Sequence, residues 1–419
     1  MISDTEVYER ARDIFHGRGI SFNAFEFYKD LHRHPELSYN EFRTCNKVKE
    51  VLQKHSIPFK SLMNGLALTG EIKGSGPPSS LFNTFKIGFR ADLDALPVQE
   101  KTGVDYMSEV PGCMHACGHD MHTTILTGTL IIIREYAHLL PENCSVFFVY
   151  QPAEEVVPPG ASMLLNEIEG KEKLPDVFFA LHLTPELPVG TVGYRSGAFM
   201  ASSDTVEIEI EGKGGHGAAP HHTVNPLYPS ASIILNSRHV ISQNVNPFEP
   251  VVFNLTVCNC GEAANVVSQK AILKGTLRTF SNETRKKLKE AIKDMVENTA
   301  RSCKASASVN FIEGAPVLVN SPKVVEKVLE IFSSDNFITT EEVPLRTGSE
   351  DFAYFLEKTE GALFRLGCSL PKNTSDAPPL HSPYFLPKPE TLIYGIYFLV
   401  KIALNCLTFS SICNKARSQ

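Results

Sequence analysis

The stretch Cys144-Ser-Val-Phe-Phe-Val-Tyr-Gln-Pro-Ala-Glu-Glu155 joins an apolar run to two adjacent carboxylates. Residues 144–150 are short and almost continuously apolar, which is typical of a strand buried on both faces of a sheet. An apolar helix is predicted before it, over residues 123–140. Further buried strands are predicted at residues 66–72, 85–90 and 177–181. Because strands alternate with helices, the sequence predicts a layered α/β fold whose sheet is mixed and largely parallel.

A different pattern begins near residue 203. Residues 204–211 read Asp-Thr-Val-Glu-Ile-Glu-Ile-Glu, and such strict alternation is typical of a strand with one solvated face. Similar strands are predicted at residues 251–257 and 271–280, and long helices at residues 225–245 and 281–305. We therefore predict two domains in an α/β protein. Residues 1–202 and 313–419 form the larger α/β domain, and residues 203–312 form an inserted, smaller α+β domain.

Length and composition narrow the possible functions. A chain of 419 residues predicts two or three domains, and 42% hydrophobic residues are enough for a sizeable core. The net charge of −7 predicts no nucleic-acid partner and no acidic membrane surface as a partner. The ten cysteines are scattered and the N-terminus is charged, so we predict a reducing, cytoplasmic setting. Residues 392–409 are strongly apolar, but Lys401 and Asn405 interrupt them, which favours a buried core helix over a membrane anchor.

Several residues have side chains that bind divalent metals. Thiolate, imidazole and carboxylate groups are ligands for borderline-soft cations such as zinc. A lone histidine is more often structural, and an isolated Glu-Glu pair is more often part of a solvated loop. Five candidates along one chain change that balance, because five ligands exceed one tetrahedral site and suit two adjacent metals. The candidate ligands are Cys117, His119, Glu155, His182 and His381.

Other polar residues have candidate supporting roles. Glu154, next to Glu155, could take a proton from the attacking water while its neighbour binds metal. Asp92 and Asp94 could orient a ligand histidine, or could instead cap a helix or be solvated in a loop. His216 lies in a glycine-rich loop that lacks the spacing of a phosphate-binding motif.

The ordered motifs resemble those of the aminoacylase and carboxypeptidase-like metallopeptidases, the M20 peptidase family. The likeness is greatest to its amidohydrolase branch, which includes hippurate hydrolase and plant hydrolases of auxin–amino-acid conjugates. Eight matching motifs keep the family order between residues 31 and 383. They are Leu31-His-Arg-His-Pro-Glu-Leu37, Arg90-Ala-Asp-Leu-Asp-Ala-Leu-Pro97, Val110-Pro-Gly-Cys-Met-His-Ala-Cys-Gly-His-Asp-Met-His122, Phe148-Val-Tyr-Gln-Pro-Ala-Glu-Glu155, Gly212-Lys-Gly-Gly-His-Gly-Ala-Ala-Pro-His221, Gly275-Thr-Leu-Arg278, Gly348-Ser-Glu-Asp-Phe352 and Leu380-His-Ser-Pro383.

The resemblance implies a role for each part of the chain. The larger domain would be catalytic and would bind two divalent metals through the five candidate ligands. The inserted domain would be a lid or a dimerisation domain, through which a homodimer would form. Glu154 would be the general base, and His216, from the inserted domain of the same or a partner subunit, would polarise the scissile carbonyl. Asn265 and Arg278 would lie near the substrate carboxylate.

The expected reaction is metal-dependent hydrolysis of the amide bond of N-acyl amino acids or related conjugates. Manganese or zinc is the expected metal, with cobalt or nickel possible. A dipeptidase or aminopeptidase with the same metal site is the alternative, and a silent protein that binds a small carboxylate is a rival from another class. Two departures from the family pattern are Cys113, where lysine is common, and the sequence Val-Val-Pro-Pro at residues 156–159, where a glycine-rich turn is common.

Overall fold

The computed structural model describes residues 2–370 and 376–413. It divides into two compact units. The first comprises Met1–Gly197, Val319–Pro344 and Tyr354–Gln419, and the second comprises Ala198–Leu318 and Leu345–Ala353. The chain thus leaves the first unit and returns to it, and residues 345–353 belong to the second unit.

The helices within the described residues are α1 Asp4–His16, α2 Ala24–Arg33, α3 Phe42–Lys54, α4 His119–Glu135, α5 Gly160–Ile168, α6 Leu227–Asn244, α7 Asn282–Ser302, α8 Pro322–Phe332, α9 Ala353–Leu356, α10 Thr391–Leu404 and α11 Ser410–Cys413. The strands are β1 Phe59–Leu62, β2 Ala67–Lys73, β3 Phe85–Asp92, β4 Cys144–Gln151, β5 Val177–Pro188, β6 Thr191–Tyr194, β7 Gly197–Met200, β8 Asp204–Glu211, β9 Gly215–His216, β10 Val251–Cys260, β11 Val266–Val267, β12 Lys270–Thr279, β13 Ser306–Glu313, β14 Leu318–Asn320, β15 Thr339–Glu342 and β16 Glu360–Ser369.

The first unit is built on an eight-stranded mixed sheet with the order β1-β2-β4-β3-β5-β16-β6-β15. Its central strands β4, β3, β5 and β16 are parallel neighbours, whereas β1, β2 and β4 pair antiparallel. The side chains of Ile87, Phe148 and Phe179 on these strands are fully buried. The sheet confirms the predicted α/β class and its mixed strand directions. The carboxyl ends of parallel neighbours meet at one edge, which is where such sheets bind ligands.

Helices pack against this sheet, and two of them, α4 and α10, are buried along most of their length. In α4, every residue from His119 to Ile133 is buried, which explains why its sequence is apolar on all sides. Helix α10 packs in the same core. Among the described residues, no single helix has the length and apolar character to cross a membrane. Only α10 together with Cys406–Ile412, across a 63° bend, meets those two criteria.

The second unit has its own core. Its four-stranded antiparallel sheet has the order β10-β12-β8-β13. The alternation predicted from sequence is present in β8, where Val206, Ile208 and Ile210 are fully buried. Helices α6 and α7 pack in the same apolar cluster. Helix α7 begins after Ser281, whose hydroxyl accepts a hydrogen bond from Thr284 N, as N-cap residues do.

Some predicted boundaries differ from the structure. Helix α4 begins at His119, four residues before the predicted start, because the polar motif itself forms the first helical turn. Strand β5 extends to Pro188, so His182 lies within the strand and not after it. Strand β16 was not predicted, although nearly all of its residues are buried.

Candidate metal centre

Two candidate ligands flank a left-handed glycine at the start of α4. Gly118 has a φ of 83°, and a Cβ atom there would lie 2.6 Å from Leu183 Cδ1. Glycine therefore allows the chain to turn sharply from the loop into the helix. Cys117 lies immediately before this turn, and His119 is the first residue of α4. Both side chains are buried.

The acidic pair lies in a turn that begins directly after β4. Ala153 has a φ of 55°, and its carbonyl oxygen accepts a hydrogen bond from Gly160 N at 2.8 Å. A Cβ atom on residue 160 would lie 1.8 Å from the Pro152 carbonyl oxygen, so the turn closes in this way only around glycine. Glu155 N donates a hydrogen bond to Asp94 Oδ2 at 3.0 Å. These bonds fix the backbone of the acidic pair.

Two buried histidines each have a ring nitrogen available for a cation. His119 Nδ1 lies 3.2 Å from Asp94 Oδ1, and its buried Nε2 has no hydrogen-bond partner among the described residues. His182 Nδ1 lies 2.8 Å from the Leu183 carbonyl oxygen. Because a carbonyl only accepts, Nδ1 carries the proton and Nε2 keeps its lone pair. This Nε2 lies 3.4 Å from Cys117 Sγ.

The last candidate ligand reaches the same place from a distant loop. His381 N donates a hydrogen bond to the Ala116 carbonyl oxygen at 2.8 Å, and its Nε2 lies 3.1 Å from Glu155 Oε1. The structure thus brings all five predicted ligands together in overlapping groups. In each group the potential ligand atoms lie within 4.8 Å of one another; the groups are Cys117–His119–His182, Cys117–Glu155–His381 and His119–Glu154–Glu155.

The pKa values of this cluster are strongly shifted. Although burial acts to lower it, the charge of Asp92 holds the pKa of His119 well above its usual value, and hydrogen bonds with Cys117 and Glu155 raise the pKa of His381 to about 10. A cation would therefore displace a proton from each of these two rings.

Burial, followed by the charge of Glu155, raises the pKa of the Cys117 thiol, so its thiolate needs a positive partner. Burial, followed by the charge of Arg365, holds the pKa of His182 well below its usual value, which keeps this imidazole neutral as ligation requires. The unpartnered Nε2 of His119 and the thiol, imidazole and carboxylate donors together fit a borderline-soft divalent metal.

A second group of polar side chains lies beside the candidate ligands, and hydrogen bonds already occupy its ring nitrogens. His122 Nε2 accepts a hydrogen bond from Leu183 N at 2.9 Å, and its Nδ1 lies 2.6 Å from Asp92 Oδ1. Asp92 Oδ2 accepts a hydrogen bond from Arg90 Nη1 at 2.6 Å. Both ring nitrogens of His122 are therefore occupied. No role is predicted for His122 or Arg90 from the sequence; the signal for His122 is its position three residues after His119, one helical turn away.

The remaining predicted site residues lie in the second unit. Strand β9 pairs with β11, which places Val266 opposite His216 and brings Asn265 close to the histidine. His216 Nδ1 accepts a hydrogen bond from Ala218 N at 3.1 Å, so its Nε2 is the protonated nitrogen. Arg278 lies on β12 and donates a hydrogen bond from Nη1 to Ser349 Oγ at 3.1 Å.

The sequence also matches a known protein family. Residues 88–405 match the family model described as Peptidase family M20/M25/M40. The match covers most of the chain. The chain belongs to peptidase family M20/M25/M40. Membership of this M20 family confirms the resemblance found in the motifs, and it identifies the protein as a metal-dependent amidohydrolase.

Relatives of this M20 chain carry several activities. This chain is 33% identical over 372 residues to the N-acetyldiaminopimelate deacetylase of Enterococcus faecalis, and the alignment covers 88% of this chain and 93% of that protein. It is 34% identical over 342 residues to thermostable carboxypeptidase 1 of Saccharolobus solfataricus, covering 81% of this chain and 84% of that protein.

A solved structure has the same fold. It is a dinuclear metal-binding peptidase of the M20 family from Bacillus subtilis. The TM-score is 0.77 at 28% identity, over 96% of this chain and 98% of that one. The predicted two-domain α/β architecture thus agrees with the architecture of the M20 family.

Proposed function

We propose that this protein hydrolyses the amide bond of N-acyl amino acids, releasing a carboxylic acid and an amino acid. The main support is the convergence of Cys117, His119, Glu155, His182 and His381, together with the adjacent carboxylate of Glu154. A deacetylase that acts on an N-acetylated amino acid is among the relatives that match nearly the whole chain. The ligand cluster favours metal-dependent hydrolysis, and the relative favours an amide whose amine belongs to an amino acid.

The proposed mechanism divides the work among several side chains. Divalent cations held by the five ligands would acidify the attacking water and polarise the scissile carbonyl. Glu154, placed beside Glu155 but not needed as a ligand, takes a proton from the water and delivers it to the leaving amine. His216, with its proton on Nε2, donates a hydrogen bond to the developing oxyanion.

Further features of the proposal concern the metal and the assembly. We propose manganese or zinc as the native metal, with cobalt and nickel as substitutes, because this donor set accepts all four. Asn265 and Arg278 would hold the substrate carboxylate, Arg278 through its planar fork of donors. The second unit would be the lid and the surface of a homodimer. Large apolar side chains on that unit are highly exposed, at 70% for Tyr228, 78% for Leu235 and 95% for Phe248. The nine cysteines from Cys45 to Cys406 are free among the described residues, which supports a cytoplasmic location.

A substrate panel tests this function. The protein, reconstituted separately with manganese and with zinc, is assayed on acetyl-, benzoyl- and aminoacyl-amino acids. Release of amino acid from the acyl substrates is expected. Cleavage of the aminoacyl substrates alone would favour the dipeptidase or aminopeptidase alternative, and binding without any cleavage would favour a silent carboxylate-binding protein.

Variants test the division of roles within the acidic pair. Glu154→Gln should keep its metal and lose turnover by about 10²- to 10⁴-fold, the usual contribution of a general base. Glu155→Gln should instead lose metal. Loss of metal from Glu154→Gln, or retained activity in it, would refute this assignment.

A matched pair of cysteine variants tests the ligand set. Cys117→Ala should release metal, as elemental analysis would show. Cys113→Ala is the control, since Cys113 is also buried in the same motif but its thiol donates a hydrogen bond to the Pro35 carbonyl oxygen, at 3.6 Å, and belongs to none of the possible metal-binding groups found among the described residues. Full metal occupancy in Cys117→Ala would count against a ligand role.

A further inference from the structure

Glu41 has a fully buried carboxyl group, and helix capping does not account for it. It occupies the N-cap position of α3 but makes no side-chain hydrogen bond to that helix. Glu36 caps the helix instead, accepting hydrogen bonds from Arg43 N at 2.9 Å and from Thr44 N at 2.7 Å. N-cap side chains usually satisfy the first helical amides themselves. The Glu41 side chain is therefore directed to another purpose.

The Glu41 side chain instead contacts a turn 112 residues further along the chain. Glu41 Oε1 accepts a hydrogen bond from Ala153 N at 2.7 Å, and Ala153 is the left-handed residue immediately before Glu154. From the same segment, Tyr39 Oη donates a hydrogen bond to the Pro158 carbonyl oxygen at 2.5 Å. Residues 39–41 thus hold both ends of the turn that carries the acidic pair.

The chemical state of Glu41 agrees with a role inside this turn. Its Oε2 is buried and has no hydrogen-bond partner among the described residues. Burial, followed by the nearby charge of Asp94, raises the pKa of Glu41 to about 8. At neutral pH the side chain is therefore mostly a neutral acid, so it can hold the Ala153 amide without adding another negative charge beside the acidic pair. A buried, incompletely satisfied carboxyl group costs free energy, which a purely structural position would not require.

We propose that Glu41 is a positioning residue, which fixes the left-handed backbone at Ala153 and thereby the directions of the Glu154 and Glu155 side chains. The expected loss of turnover rests on the proposed function, whereas the expected change in the backbone at residues 152–156 does not. An alanine with positive φ is held in a conformation that non-glycine residues rarely adopt. Its amide needs a rigid acceptor, and Glu41 supplies one.

Three variants test the proposal. Glu41→Met removes the acceptor while keeping the length of the side chain, and Glu41→Gln keeps an acceptor oxygen. Glu36→Ala is the matched control, because it removes the capping bonds of the same helix without touching the turn. Each variant is measured by hydrogen exchange of the peptide covering residues 152–156, by metal titration and by steady-state kinetics.

For Glu41→Met, losing the partner of a buried amide should speed exchange in this peptide by roughly 5- to 150-fold. Its kcat should fall by about 10- to 100-fold with KM little changed, because small displacements of reacting groups are costly. Glu41→Gln should restore most of both. Glu36→Ala should lower the melting temperature and leave kcat and the exchange of this peptide unchanged.

Unchanged exchange at residues 152–156 in Glu41→Met would overturn the proposal. An equal loss of kcat in Glu36→Ala and Glu41→Met would also overturn it, since both would then act through general stability. Failure of the proposed function would appear separately, as a wild-type protein that cleaves no substrate of the panel. In that case hydrogen exchange and metal titration still decide the role of Glu41.

Discussion

Replacing Asp94 with asparagine should weaken metal binding although Asp94 is not a candidate ligand. Its Oδ1 lies 3.2 Å from His119 Nδ1, and its Oδ2 accepts hydrogen bonds from Glu155 N at 3.0 Å and Ser38 Oγ at 2.7 Å. Donors thus face both oxygens, whereas asparagine offers one acceptor and an NH₂ group that would face a donor. Removing a partner that orients a ligand typically costs 10- to 100-fold in metal affinity, or about 1.4–2.7 kcal/mol.

The assay is a competitive titration with a chromophoric chelator, using manganese and zinc in turn. Asp176→Asn is the control, since Asp176 Oδ2 also accepts a backbone hydrogen bond in the first unit, from Lys86 N at 2.8 Å. That bond is at the start of β3, at the opposite end of the strand from Asp92. Asp176→Asn should lower stability and leave metal affinity unchanged. Wild-type affinity in Asp94→Asn would refute the view that this carboxylate orients His119 and the Glu155 backbone.

Other parts of the structure give further predictions. Gly160→Ala should cost about 1–3 kcal/mol in urea unfolding and reduce turnover, because its Cβ would clash with the Pro152 carbonyl oxygen. Lys401→Met should cost about 3 kcal/mol, since buried Lys401 Nζ lies 2.6 Å from Asp335 Oδ2. Burial alone would raise the pKa of Asp335, but hydrogen bonds, above all the one from Lys401, hold this pKa below its usual value. Protonation of Asp335 removes the ion pair. The difference in unfolding free energy between the Lys401→Met variant and the wild type should therefore shrink as pH falls below about 4. Leu235→Glu should alter unfolding by less than about 0.5 kcal/mol and produce monomers in light scattering, whereas a persistent dimer would refute an interface at that position.

The candidate metal ligands could be singled out from the sequence because thiol, imidazole and carboxylate side chains bind divalent cations. Each such residue alone is more often structural, but five of them in ordered motifs favour a metal site, so Cys117 and His119 could be proposed as ligands before any geometry was known. The fold class was accessible for a similar reason, since buried strands such as β4 are continuously apolar. Strand β16 was missed because Gly361, Arg365 and Gly367 interrupt its apolar pattern, even though most of its residues are buried.

The supporting residues could not be predicted in this way, because their roles depend on contacts and not on residue type. A glutamate near the start of a helix is ordinarily a capping residue, and Glu36 and Glu41 are five residues apart with the same side chain. Only the structure shows that one caps α3 and that the other crosses to Ala153. The same reasoning applies to Asp94, for which sequence left capping and ligand orientation equally open. The left-handed conformation of Ala153 is the feature that makes this support necessary. Alanine offers no side-chain group to stabilise that conformation, so the hydrogen bonds that hold the acidic turn must come from elsewhere in the chain.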